Sequence, residues 1–229
     1  MNTRQSFLEA LDAVVARNSM LGHPFYQTWT MGKLSRTALR EYAKQYYHFV
    51  QAFPTLISAT HANTPQLSVR QELLENLIEE ERGDGNHPGL WMKFAESLDV
   101  NEEEAVQTPM LPETAEAIES LRSITRNGSY LEGIAALYAY ESQIPEVARV
   151  KIEGLKKFYG ITGDKELSFF TVHREADVFH SGSEKNILAQ HATTEADRKG
   201  CISAAEASAR AMLRLLDGVH RAYVQPELN

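Results

Sequence analysis

A chain of 229 residues is long enough for one large domain whose core can hide a polar site. Its 31 acidic against 23 basic residues leave a net charge of −8 with no long single-sign block, which argues against a nucleic-acid binder with a basic face. No apolar run approaches the roughly 20 residues needed to span a bilayer, so no membrane partner is expected. Cys201 stands alone, so a disulfide framework is not expected and a reducing cytoplasm is the expected compartment.

Helical periodicity runs almost throughout. In "MNTRQSFLEALDAVVARNSM", Phe7, Leu8, Leu11, Val14 and Val15 mark one face of a first amphipathic helix. Arg4, Glu9, Asp12 and Arg17 interrupt it, unlike the unbroken apolar segment of a secretory signal. "GHPFYQTWTMGKL" reads as an irregular connector lying against the bundle. Ser35 is the expected N-cap of a long helix through "TALREYAKQYYHFVQAFPTLISATHA". Pro54 should kink that helix without ending it, because the apolar pattern resumes beyond. A further helix is expected over 66–82, followed by the breakers of "RGDGNHPG" and a short helix carrying Leu90, Trp91, Phe94 and Leu98. After the linker "QTPMLPET", helices over 113–126, 129–158, 165–190 and 194–222 complete the chain. The expectation is a single all-α domain over residues 1–229, a bundle of seven or eight helices.

Three segments place polar residues where apolar ones belong. In "HREADVFH", His173, Asp177 and His180 are spaced i, i+4, i+7 and continue the stripe of Phe169, Phe170 and Ile187. Arg174, Glu175 and Lys185 lie on the opposite side. Glu141 likewise interrupts the stripe of Ile134, Leu137, Tyr138, Ile144, Pro145 and Ala148. In "ENLIEEERGDGNHPG", Glu80 and His87 lie seven apart, within roughly 20° of each other if the helix persists. Gly83 and Gly85 each cost about 1 kcal/mol in a helix, and Pro88 disfavours α geometry at His87. On pattern alone Glu80 and Glu81 compete for the inward position. A buried, unpaired carboxylate costs several kcal/mol, so each needs a cation, a metal or a dense set of hydrogen bonds. Imidazole and carboxylate ligands without thiolate suit iron or manganese and can also hold zinc. So many ligands suit two metals bridged by a carboxylate better than one.

Other conspicuous residues have plainer readings. His48, His61, His191 and His220 read as surface or packing residues. His23 precedes the proline-aromatic connector, with a haem axial ligand as its minor reading. Tyr42, Tyr46, Tyr47, Phe49 and Phe53 read as core by spacing, with a pocket wall as the alternative. Lys151 lies at the edge of the Glu141 stripe and is expected to snorkel to solvent. Turned inward, it would be a buried amine with a lowered pKa, available as a nucleophile or amine donor.

The segments "HPFYQTW", "AKQYYHFVQAFP", "ENLIEEERGDGNHPGLW", "ALYAYESQIPEVARVKIEGL" and "HREADVFH" resemble the CADD family, named for a chlamydial protein associating with death domains. That family is similar to the haem-oxygenase-like di-metal oxidases, whose fold TenA thiaminases and the pyrroloquinoline quinone synthase PqqC share. The resemblance covers nearly the whole chain. It implies a haem-oxygenase/TenA-like bundle with Glu80, His87, Glu141, His173, Asp177 and His180 as ligands of two metal ions, iron with iron or iron with manganese. Dioxygen and a reductant are the implied co-substrates, with the electron donor unspecified, and a homodimer is implied. The implied product is 4-aminobenzoate, a folate precursor. It further implies that the protein is its own substrate: Tyr26 supplies the ring and Lys151 the amino group. Tyr140 matches a family tyrosine near the metals and is a candidate radical relay. Nothing in the residues argues for a death-domain partner.

Two other readings stay open: a conventional di-metal oxidase with a diffusible aromatic substrate, and a non-catalytic interaction protein. TenA-like chemistry is disfavoured because it needs a cysteine nucleophile, and Cys201 lies far from these motifs in sequence. A cofactor-less oxidase has no use for such a ligand set.

Overall fold

Caps and breakers set the limits of each helix. The computed structural model describes residues 3–228, and every regular element among them is helical. Helix α1 (Thr3–Arg17) leads to α2 (Pro24–Thr30) and α3 (Arg36–Asn63). Ser35 opens α3 by accepting from the Ala38 N–H, and the helix runs through Pro54. Helix α4 (Leu67–Glu81) stops at Arg82, and a single 3-10 turn, Gly83–Gly85, leads into α5 (His87–Glu96). The Gly83 φ of 69° is a left-handed conformation that suits glycine. Asn86 caps α5 through the Gly89 N–H. After α6 (Glu102–Gln107) and α7 (Pro112–Asn127), a capping box between Ser129 and Glu132 starts α8 (Tyr130–Glu141). Then follow α9 (Ile144–Phe158), α10 (Asp164–His191) and α11 (Glu195–Val219). A π-helical turn, His220–Val224, and α12 (Gln225–Leu228) close the described chain.

More helices are present than the expected seven or eight, for local reasons. The connector holds α2, because the His23 ring accepts from the Phe25 N–H and Pro24 is preset for a first turn. The helix expected over 129–158 is two helices, broken at Ser142 and Gln143 ahead of Pro145, which has no N–H to continue the ladder. Asn101 caps the extra helix α6 ahead of three glutamates.

Helix α8 is the centre of the bundle, contacting α3, α7, α9, α10 and α11. It is buried on every side from Gly133 to Glu141, as expected of a helix apolar all round. A Cβ at Gly133 would come within 2.7 Å of the Thr60 hydroxyl, so the glycine sets how closely α8 approaches α3. On α9, a Cβ at Gly154 would collide with the Trp29 indole; that gap seats α2, and with it Tyr26, against α9. Helix α10 packs on α5, α8 and α9 and touches α4, turning its polar stripe toward the C-terminal ends of α4 and α8. No described helix is long and apolar enough to cross a membrane.

Candidate functional site

Three elements converge on a first ligand group. Glu80 ends α4, His87 begins α5, and His173 projects from α10. Their ligand atoms all lie within 4.8 Å of one another, and all three side chains are buried. The Glu80 Oε2 and His87 Nδ1 atoms are 2.8 Å apart but are not aligned as a hydrogen bond. Neighbouring ligands of one six-coordinate ion, about 2.1 Å from it, lie about 3 Å apart. The His173 Nδ1 donates to the Phe169 carbonyl at 2.7 Å, which leaves the Nε2 lone pair for a ligand. Burial, and the facing His87 ring at 4.1 Å, hold His173 well below the ordinary histidine range, so it is neutral. Glu80 is buried, whereas its competitor Glu81 is exposed.

A second group lies alongside. Glu141 takes the last position of α8; its Oε1 accepts from the Asn76 amide at 2.8 Å, and its Oε2 has no partner. Asp177 also has one unpartnered buried oxygen. Burial and the charges of Glu141, Glu80 and Glu79 push its carboxyl well above the usual range, so it sits among carboxylates from α4 and α8. Burial likewise raises Glu141, with the nearby His180 opposing the shift. The His180 Nε2 lies 3.0 Å from Glu79 Oε2, leaving Nδ1 as the atom not engaged by that carboxylate.

Sequence reasoning missed Glu79, Asn76 and Glu184 here. Glu184 is 3% exposed, and both of its oxygens lack an aligned partner although it lies beside Glu141. Its spacing was legible: 173, 177, 180 and 184 continue one face of α10. Unpartnered oxygens on three buried carboxylates, beside imidazoles with free lone pairs, leave this core short of positive charge. The oxygen and nitrogen donor set fits iron or manganese, so the residues suit the metals that the sequence suggests.

Next to this cluster lies an aromatic chamber. Lys151, expected at the surface, is 2% exposed on α9. Its Nζ faces the rings of Tyr46 at 4.6 Å, Tyr42 and Phe170 at 5.3 Å, Trp91 at 5.5 Å and Tyr26 at 5.8 Å. These rings, from α2, α3, α5 and α10, close the route to solvent that snorkelling requires. Burial lowers the amine to about 7, and no carboxylate of the described residues offsets that cost. A cavity of about 10 Å³ links the Lys151 side of the chamber to Tyr46, Tyr140 and His173. That is room for about one water-sized molecule.

Tyr140 precedes Glu141, and its hydroxyl lies 2.9 Å from that of Tyr46. Burial raises both phenols, as does the charge of Asp177 and Glu80, so both face the carboxylate and histidine cluster. Tyr42 lies tilted against Tyr46 with ring centroids 5.3 Å apart, and its hydroxyl lies beside that of Tyr26 without an aligned hydrogen bond. Read as core by spacing, Tyr42 and Tyr46 therefore also wall the chamber. No sequence signal separates those roles, because both demand an inward ring.

The remaining candidates are structural. The His23 ring accepts from Phe25 and donates to Asp217 at 3.0 Å, so it has no lone pair left for a haem iron. His48 is buried and bonds the Thr108 carbonyl. Burial pushes the Cys201 thiol up to about 12, which makes it a poor nucleophile.

Helical bundles that hold inward carboxylates and imidazoles on several helices belong to the metal-dependent enzymes. Residues 40–213 match the family of iron-containing redox enzymes, and the chain belongs to that family. A 4-aminobenzoate synthase of Nitrosomonas europaea is 42% identical over 227 residues, 95% of this chain and 92% of that one. A 4-aminobenzoate synthase of Chlamydia pneumoniae is 42% identical over 183 residues, covering 80% of this chain and 81% of its own. Among solved structures, a TenA homologue from Pseudomonas syringae superimposes with a TM-score of 0.81 at 19% identity, over 95% of this chain and 92% of that one. That likeness shows the haem-oxygenase/TenA-like fold alone.

Proposed function

We propose that this enzyme makes 4-aminobenzoate from its own chain, with Tyr26 as the source of the ring and Lys151 as the source of the amino nitrogen. Two metal ions, iron with iron or iron with manganese, would be held by Glu80, His87, Glu141, His173, Asp177 and His180, with dioxygen and a reductant as co-substrates. Such ions supply the one-electron steps that dioxygen needs before it reacts with an organic group.

The chain's own residues do the rest. The Tyr26 ring and the Lys151 amine are already neighbours, so no encounter step is required. Burial lowers the amine to about 7, so its unprotonated form, with the lone pair available, is accessible near neutral pH. The paired hydroxyls of Tyr46 and Tyr140 lie between the ligand cluster and the chamber, where they can pass an electron and a proton toward Tyr42 and Tyr26. Buried aromatic walls keep bulk water from all of these groups.

The size of the cavity carries the choice of substrate. At about 10 Å³ it is far below the ~150 Å³ that admits benzene. That cavity has no room for an external aromatic, whereas the Tyr26 ring is already beside Lys151. The large groove of about 700 Å³ runs over the outer side of α4 and α10, past Val178 and Phe179, and none of Tyr26, Tyr140 and Lys151 lines it. The test is to load the protein with iron and manganese, add reductant and dioxygen, and supply no organic substrate. Free 4-aminobenzoate together with mass loss at Tyr26 and Lys151 supports self-consumption. Product that appears only when a small aromatic is added, with Tyr26 intact, refutes it.

A further inference from the structure

The ligand set inferred from the sequence omits the residue in this core that is most in need of a cation. Glu184 lies one turn beyond His180 and two turns beyond Asp177 on the same face of α10. It is 97% buried by its 3% exposure, beside the Glu141 carboxyl, and neither of its oxygens has an aligned hydrogen-bond partner. Two adjacent buried carboxylates repel unless a proton or a metal lies between them. A cavity of about 10 Å³ between α4 and α10 is lined by Asn76, His180 and Glu184, with room for about one water or ion.

We propose that Glu184 is a ligand of the second metal position, where it joins Glu141 and Asp177. That position then holds three carboxylates and one imidazole, from His180. The first position, by contrast, holds one carboxylate and two imidazoles, from Glu80, His87 and His173. Carboxylate-rich sites suit manganese, and imidazole-rich sites suit iron. Glu184 is thereby the residue that makes the two positions chemically unequal and steers manganese to the α8 side.

The inference rests on the two-metal reading of the site, and manganese alone suffices to test it. Equilibrium dialysis of metal-free protein against Mn²⁺, with metal analysis, is compared for the unaltered chain, Glu184→Gln, Glu184→Asp and His87→Ala. The expected result is two ions for the unaltered chain. Glu184→Gln should keep the first position but bind the second ion at least ~10-fold more weakly, with Glu184→Asp in between. His87→Ala should lose the opposite ion. Thermal unfolding without metal should show Glu184→Gln no less stable than the unaltered chain, because it removes a buried carboxylate; the loss of metal is then not a loss of fold. Two ions bound by Glu184→Gln with unaltered affinity would overturn the inference and make Glu184 a protonated partner of Glu141, leaving the two-metal reading intact. A single ion in the unaltered chain that Glu184→Gln keeps and His87→Ala loses would overturn both.

Discussion

The ligand cluster and the Lys151 chamber are adjacent, share the wall around His173, and solve the same physical problem in opposite ways. In the cluster, buried Glu141, Asp177 and Glu184 present more negative charge than the nearby imidazoles balance, and each carboxyl is raised by burial and by its neighbours. A cation from outside removes that cost. In the chamber, one cationic group has no counter-ion, and the cost falls on its proton, which burial loosens to about 7. A buried charge would thus be met by capturing a metal in one region and by releasing a proton in the other. On the proposed function, the first would hold the metals. On the same proposal, the second would supply the amine.

The sharpest way to break this comparison is at Tyr26. Tyr26→Phe removes one hydroxyl from a buried ring and touches no ligand, so it should bind metal normally and form no detectable 4-aminobenzoate. Persistent product measured by mass spectrometry would show that the chamber serves a different substrate.

Lys151 tests the cost of the unpaired cation. Below pH 7 the folded and unfolded chains both carry the proton, and the burial penalty is felt in full. Between 7 and 10.5 only the unfolded chain carries it, so the penalty shrinks by about 1.4 kcal/mol per pH unit, and above 10.5 it is gone. Lys151→Met should therefore raise stability at pH 7 by on the order of 4 kcal/mol, a gain that fades toward pH 10.5. Urea unfolding at several pH values measures it, and a variant no more stable than the parent at pH 7 would contradict the buried, unpaired amine.

On the cluster side, His173→Ala removes a proposed ligand whose other ring nitrogen is anchored to Phe169. Affinity at the first metal position should fall about 100-fold, read by competition with a chelator, while Glu184 and its neighbours still hold the second ion. Loss of both ions together would mean that the two positions form one site. The smallest effect is expected at the junction. Tyr140→Phe breaks the 2.9 Å contact with Tyr46 but leaves both rings in place, so product should form about 10-fold more slowly with unchanged metal content. An unchanged rate would take Tyr140 out of the relay.

Much of the helical architecture is written in local chemistry. Ser35, Ser129 and Thr194 cap the helices that follow them, Pro54 leaves α3 intact, and the 173, 177, 180 spacing turns two imidazoles and a carboxylate inward. Where the reading failed, a short-range competitor was overlooked. His23 acts as the cap that makes α2 a helix, and Pro145 divides α8 from α9. Glu184 was within reach of the same spacing argument, one turn further along α10.

The position of Lys151 was not within reach. Its place at the edge of a stripe suits a snorkelling side chain, and only the rings of α2, α3, α5 and α10 closing around it make it a buried amine. Nor does any local pattern show that Tyr42 and Tyr46 face Lys151 and not merely the core, or that Glu79 engages His180. Sequence periodicity determines which side of each helix is buried, because burial follows from the chain's own repeat. Which buried side chains meet depends on how distant helices cross. In this protein the Gly133–Thr60 and Gly154–Trp29 contacts set those crossings, and only the tertiary structure decides them.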